Sequence, residues 1–402
     1  MLNLACIEAA AERIRSAVYE SPLVYSETLS GLTGNSIYLK LENLQMTGSF
    51  KERGALNRLL TLSPEQRSAG VMAASAGNHA QGVAYHAARL GIPAEIWMPR
   101  NTPLIKVSCT RGYGAQVVLH GANYEEAYDG AVHRCQQKGA TFLHAFNDEE
   151  VIAGQGTIGL EMLHQNPALD AIVAPVGGGG LIAGIACAVK SKRPDLQVIG
   201  AQTARLPSMR AALEQGEPVS LPPSSSMADG IAVRRAGALT LPLVRQYVDQ
   251  IVTVDEEEIA AAVLILLERE KTLAEGAGAA ALACLLHGRT DLRGKNIGVV
   301  VSGGNLDVTL LTRIIERGLV RDGRRLRLRI HLPDYPGVLE SLAATIARSN
   351  ANIVETLHNR AHYGVGLGET AIDITMETRG QEHVDELLTS LREARYEFSR
   401  VE

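Results

Sequence analysis

Ala171-Ile172-Val173-Ala174-Pro175-Val176-Gly177-Gly178-Gly179-Gly180-Leu181 is the stretch that decides the fold class of this chain. An unbroken apolar run of strand length fits a strand buried on both faces, and such strands belong to parallel sheets covered by helices. The glycines that follow make a tight turn into a helix. Their consecutive N–H groups can converge on an anion at the helix N-terminus, where the helix dipole also favours negative charge, so a phosphate is the natural occupant. Gly178, Gly180 and Ala183 also satisfy a loose GxGxxA dinucleotide pattern. The next strand, however, ends near Gln202, where a ribose-binding acid is expected, and the motif lies far from the chain's first strand.

Working outward, the same rhythm of strand, turn and helix recurs. Strands are expected at Ser36–Leu39, Gly70–Ala73, Ala94–Met98, Gln116–Leu119, Thr141–Leu143, Gln197–Gln202 and Asn296–Val301, with helical stretches between most of them. This predicts an α/β fold with mostly parallel sheets and a ligand site in the turns at the carboxyl ends of strands. A basic segment at residues 321–325 breaks the rhythm and reads as a linker. The tail, 326–402, follows a different order, βαββαβ, with Ile372, Ile374 and Met376 on one strand face. Its helices are expected at Gly337–Arg348 and Gln381–Glu393, and its later strands near Ile353–His362, Glu369–Glu377 and Tyr396–Ser399.

Composition narrows the classes. A chain of 402 residues fits two or three folding units. A net charge of -5 offers no broad basic surface, so nucleic acid is not an expected partner. Cys6, Cys109, Cys135, Cys187 and Cys284 are odd in number and lack CxxC pairing, so they are expected to be reduced core residues of a cytoplasmic protein. Asn3–Ile14 reads as a helix rather than a signal peptide, and the apolar run Ile259–Leu267 is too short to span a membrane.

Three further segments carry candidate chemistry. In Thr47-Gly48-Ser49-Phe50-Lys51 an amine stands between a small-residue loop and a helix, where apolar neighbours can lower its pKa, as an imine-forming lysine requires. A solvated surface lysine is the alternative. Ser75-Ala76-Gly77-Asn78-His79 follows a strand and opens a helix, so its amides suit a carboxylate; a plain helix cap with a satisfied histidine is the alternative. Ser302 lies where the strand Asn296–Val301 runs into Gly303-Gly304-Asn305, and its hydroxyl can bond a heterocyclic nitrogen or serve only the turn.

Together these segments, in this order, resemble the threonine/serine dehydratase branch of the fold-type II pyridoxal-phosphate enzymes. The resemblance implies a catalytic domain over residues 1–320, with a smaller subdomain, roughly 46–146, inserted in the larger. It implies that Lys51 forms the imine with pyridoxal 5'-phosphate and shuttles the α-proton. Phe50 packs beside the ring, Asn78 bonds its 3-oxygen, Gly177, Gly178, Gly179, Gly180 and Leu181 cradle the phosphate, and Ser302 meets the pyridine nitrogen. Ser75, Ala76, Gly77, Asn78 and His79 receive the substrate carboxylate, and Glu275 matches a family glutamate near the cofactor. The implied reaction takes L-threonine, and secondarily L-serine, to a 2-oxo acid and ammonia.

Related racemases and some dehydratases carry acidic metal ligands after the strand that here ends at Gln202; this chain reads Gln202-Thr203-Ala204-Arg205, so no metal is expected there. The tail resembles an ACT domain, which implies regulation by an amino acid, isoleucine or valine by analogy, and a homo-oligomer, dimer or tetramer. Asp334, Gly337, Leu339 and Asn352 are its candidate effector contacts. A serine racemase or 3-hydroxyaspartate dehydratase would share every cofactor residue, and a non-catalytic amino-acid sensor would share only the tail.

Overall fold

The computed structural model describes residues 2–359 and 368–401. It divides into two compact units, one ending at Asp307 and the other beginning at Val308. In the first unit the strands are β1 (Leu23–Ser26), β2 (Ser36–Leu41), β3 (Val71–Ala74), β4 (Ala94–Met98), β5 (Gln116–Leu119), β6 (Thr141–Phe142), β7 (Ala171–Pro175), β8 (Gln197–Thr203), β9 (Gln250–Val254) and β10 (Asn296–Val301). They form two sheets, ordered β1-β2-β10-β7-β8-β9 and β5-β4-β3-β6. Every pairing is parallel except that of β1 with β2. The smaller sheet is therefore an insertion between β2 and β7, and a parallel core with helical crossovers explains the continuous apolar runs of β3 and β7, every residue of which is buried.

Two strands escaped the sequence reading. β1 exposes Val24 and Tyr25, and β9 alternates with threonine, so neither carries the apolar run of a doubly buried strand. The cysteine expectation needs a correction as well. All five are free, but Cys6 and Cys109 are exposed and only Cys135, Cys187 and Cys284 are buried. The first two stand on solvent-facing sides of the amphipathic helices Leu4–Ile14 and Leu104–Gly112.

The helix Lys51–Leu60 is tied down by an unusual buried ion network. Arg53, 1% exposed, donates through Nε to Glu42 Oε2 at 2.7 Å and through Nη2 to Glu161 Oε2 at 2.8 Å. Lys40, also buried, donates to Glu161 Oε2 at 2.6 Å. Two cations against two carboxylates leave no uncompensated charge, and the network braces the turn on which Lys51 sits.

The second unit opens with the helix Val308–Arg321 and continues with β11 (Arg325–Pro333), the helix Val338–Arg348, β12 (Asn352–Asn359), β13 (Glu369–Glu377), the helix Gln381–Glu393 and β14 (Glu397–Arg400). The sheet order is β12-β13-β11-β14, antiparallel throughout. Alternate residues Leu326, Leu328, Ile330 and Leu332 share one core with Ile372, Ile374, Met376 and the apolar sides of both later helices. The expected run Ile353–His362 is strand as far as Asn359; residues 360–362 lie outside the described residues. Among the described residues no helix is long and apolar enough to cross a membrane.

Candidate active site

The turns after β3, β7 and β10 meet around Lys51. Lys51 begins its helix and is half-buried, and its Nζ donates to the carbonyl of Ala145 at 3.2 Å while lying 5.0 Å from the Phe50 ring centre. Burial pushes the Lys51 pKa down to about 8, against a raising pull from Glu275. Such an amine is partly free base near neutral pH, which a solvated lysine is not. Burial also lowers the imidazoles of His79 and His144, to about 3 and about 4, with the charge of Lys51 as the next cause in each. Both are therefore neutral at pH 7. His79 Nε2 donates to the carbonyl of Leu143 at 2.9 Å, and its buried Nδ1 has no partner among the described residues. His144 Nδ1 accepts from the amides of Phe146 and Asn147, so its proton resides on Nε2.

The glycine run leaves the end of β7 and enters the helix Gly180–Lys192. Gly179 has φ +97°, and a Cβ there would lie 2.8 Å from Thr240 Oγ1. The Phe146 ring packs so closely on Gly178 that any side chain at that position would overlap it. Thr240 Oγ1 and the amide of Gly237 hold the Gly178 carbonyl at 2.6 and 3.1 Å. That carbonyl is thus engaged with the scaffold. Among the described residues no side chain caps the helix, so its first amides are left for an outside acceptor.

Ser75, Ala76 and Gly77 form the turn after β3, with the amide of Gly77 donating to Ser75 Oγ at 3.2 Å. The helix Asn78–Arg89 starts from Gly77 with no side-chain cap. Glu275, buried before the helix Gly276–Leu286, accepts from Asn78 Nδ2 at 2.6 Å, and its own amide donates to the carbonyl of Gly303 at 3.0 Å. Burial raises the Glu275 carboxyl to about 8, with Asp229 adding to the shift. Ser302, 2% exposed, immediately follows β10 and accepts the amide of Phe50 at its carbonyl at 3.0 Å. Lys51, Asn78, Glu275, Ser302 and the glycine run are therefore drawn to one region.

The effector candidates are not drawn together. Asp334 and Gly337 sit on the exposed turn between β11 and the next helix and Leu339 is exposed in the first turn of that helix, whereas Asn352 pairs with Glu377 at the far end of β13, about 26 Å along the sheet. A single chain does not combine all four. At the end of β8, Gln202 Oε1 accepts the amide of Arg210, and among the described residues no group of three His, Cys, Asp or Glu side chains could hold an ion.

A reactive amine, an anion-ready glycine turn and directed polar groups between them fit pyridoxal phosphate. Residues 14–303 match the family model described as pyridoxal-phosphate dependent enzyme. The chain belongs to that family. Among its relatives, the L-threonine ammonia-lyase of Thermotoga maritima is 48% identical over 96% of both chains, and that of Geobacter sulfurreducens is 48% identical over 98% of both. The structure of processed threonine deaminase isoform 2 from Solanum lycopersicum matches with a TM-score of 0.75 and 37% identity, over 78% of this chain and 91% of that one. Maize serine racemase matches with a TM-score of 0.74 and 34% identity, over 79% and 98%. Pyridoxal phosphate is thus the coenzyme of the family, as the resemblance implied.

Sequence reasoning missed Ala145, His144 and Phe146. They follow β6, a two-residue strand with no apolar run to announce a site. Asn305 was in view but without a role.

Proposed function

We propose that this pyridoxal-phosphate enzyme removes ammonia from L-threonine, yielding 2-oxobutanoate, and acts also on L-serine. The lowered pKa and enclosure of the Lys51 amine carry the reading, supported by full-length relatives named for that reaction. The coenzyme supplies an electron sink for negative charge at the substrate α-carbon. Lys51 anchors the coenzyme and then moves the α-proton. The amides of Gly177 to Leu181 would hold the phosphate, Asn78 would donate to the ring oxygen, and the hydroxyl of Ser302 would serve the ring nitrogen without imposing a proton on it, as an aspartate would. Phe50 would pack beside the ring. The turn from Ser75 to His79 would receive the substrate carboxylate at a helix N-terminus, through the amides of Ala76, Asn78 and His79 and the Ser75 hydroxyl, since the Ser75 amide donates to the Trp97 carbonyl at 3.1 Å and that of Gly77 to Ser75 Oγ at 3.2 Å. Overall the Cα–H and Cβ–O bonds break and water leaves, an N–H proton then moves to Cβ, and a water replaces the C–N bond with C=O, releasing ammonia.

The second unit serves as an ACT-type regulatory domain that binds isoleucine or valine in a homo-oligomer of a cytoplasmic enzyme. The separation of Asn352 from Asp334, Gly337 and Leu339 favours a shared effector site in which a second copy takes part. The test is release of 2-oxo acid from threonine, serine and 3-hydroxyaspartate by purified protein, with and without isoleucine and valine, alongside D-serine formation. Fast turnover of threonine supports the reading. Racemisation without oxo-acid release overturns it.

A further inference from the structure

We infer that Asn305 is a positioning residue that fixes which end of the Asn78 amide faces the coenzyme; the inference rests on the cofactor reading above. Asn305 Nδ2 donates to the carbonyl of Thr47 at 2.8 Å and to Asn78 Oδ1 at 2.8 Å. Asn78 Nδ2 in turn donates to Glu275 Oε1 at 2.6 Å. The direction of this chain follows from its first member. A backbone carbonyl can only accept, so the amide that meets Thr47 must present NH2 there. The same NH2 then obliges Asn78 to turn its oxygen toward Asn305 and its own NH2 toward Glu275. One hydrogen of Asn78 Nδ2 is spent on Glu275 and the other is left to the pocket. Asn78 therefore meets an acceptor such as a ring oxygen as a donor, and does not need to reorient when the coenzyme enters.

The surrounding backbone is shaped to admit this relay. Gly48, at φ +71°, would place a Cβ 2.5 Å from Asn305 Oδ1. A Cβ on Gly303 would lie 2.7 Å from Glu275 Oε1 and 3.2 Å from Asn78 Nδ2. Gly304 ties the two turns by donating its amide to the Gly48 carbonyl at 2.9 Å. The lysine loop and the turn after β10 are thereby joined through the side chain of Asn305 as well as through backbone. A residue outside the immediate coenzyme contacts thus sets the polarity of one that makes them.

The test compares the apoproteins of the parent, Asn305→Ala and Asn305→Asp, each titrated with pyridoxal phosphate while the visible band and its pH midpoint are followed, with apoprotein melting temperature measured in parallel. Asn305 is half-buried, so both variants are expected to fold. Coenzyme affinity should fall about ten- to a hundredfold, by analogy with the loss of other outer-shell partners. Asn305→Asp keeps the volume but meets two acceptors with a third, so it should bind worse than Asn305→Ala and shift the pH midpoint of the band. Parent-like affinity and spectrum in the aspartate variant overturn the relay. So does an alanine variant worse than the aspartate, which would mean packing rather than polarity. A parent protein that takes up no pyridoxal phosphate would defeat the cofactor reading and this inference with it, an outcome distinct from variants that match a competent parent.

Discussion

The sharpest quantitative consequence of the site is the pH at which Lys51 becomes reactive. Only the free amine bonds an aldehyde, and the Lys51 pKa is lowered from 10.5 to about 8. At pH 8 half of this amine is free, whereas an ordinary lysine is about 0.3% free, a gain of roughly 150-fold in reactive form. Mixing apoprotein with pyridoxal phosphate and following growth of the visible band should therefore give a rate that rises with pH to a midpoint near 8. Glu275→Gln should lower that midpoint, because the carboxylate is the group pulling the amine upward. Lys51→Ala should keep the fold, form no covalent adduct on borohydride reduction and lose turnover. A midpoint near 10.5, or an unchanged adduct in Lys51→Ala, would refute the assignment of this amine.

Other outcomes follow from the same geometry. The Glu275 carboxyl titrates at about 8 in the fold against 4.5 ordinarily, so the folded protein holds its proton more tightly. That contribution to stability is complete below about pH 4.5 and disappears as pH rises through 8, with a size on the order of 5 kcal/mol. Urea melts of the apoprotein at pH 5 and pH 9 should differ less in Glu275→Gln than in the parent; an equal difference would count against it. Gly178→Ala must displace the Phe146 ring from the glycine turn, and equilibrium dialysis should show weakened coenzyme uptake, with parent-like uptake the contrary result. Arg53→Met leaves Glu42 buried without its cation, and denaturant unfolding should reveal a loss of about 3 to 5 kcal/mol. A loss below about 1 kcal/mol would show that the network is not needed for stability.

What could be read without coordinates was what burial writes locally. β7 sits between two layers of helices, so all its residues must be apolar, and the turn that follows needs glycine because the backbone takes φ +97° at Gly179. These demands fall on neighbouring residues, and a short quotation of sequence displays them. The same holds for the tail, where Leu326, Leu328, Ile330 and Leu332 alternate because only one face of their strand meets a core. β1 and β9 were missed for the complementary reason, being edge strands that bury too little to leave a pattern.

The chain order alone therefore determined the parallel α/β class, the tail topology, and Lys51, Asn78, the glycine run and Ser302 as the residues to watch. Tertiary structure decided their partners. Ala145 receives the Lys51 amine from 94 positions away, and Glu275 meets Asn78 across 197. A pKa, a tautomer or the direction of an amide depends on which atoms crowd a group in space, and no periodicity along the chain records that.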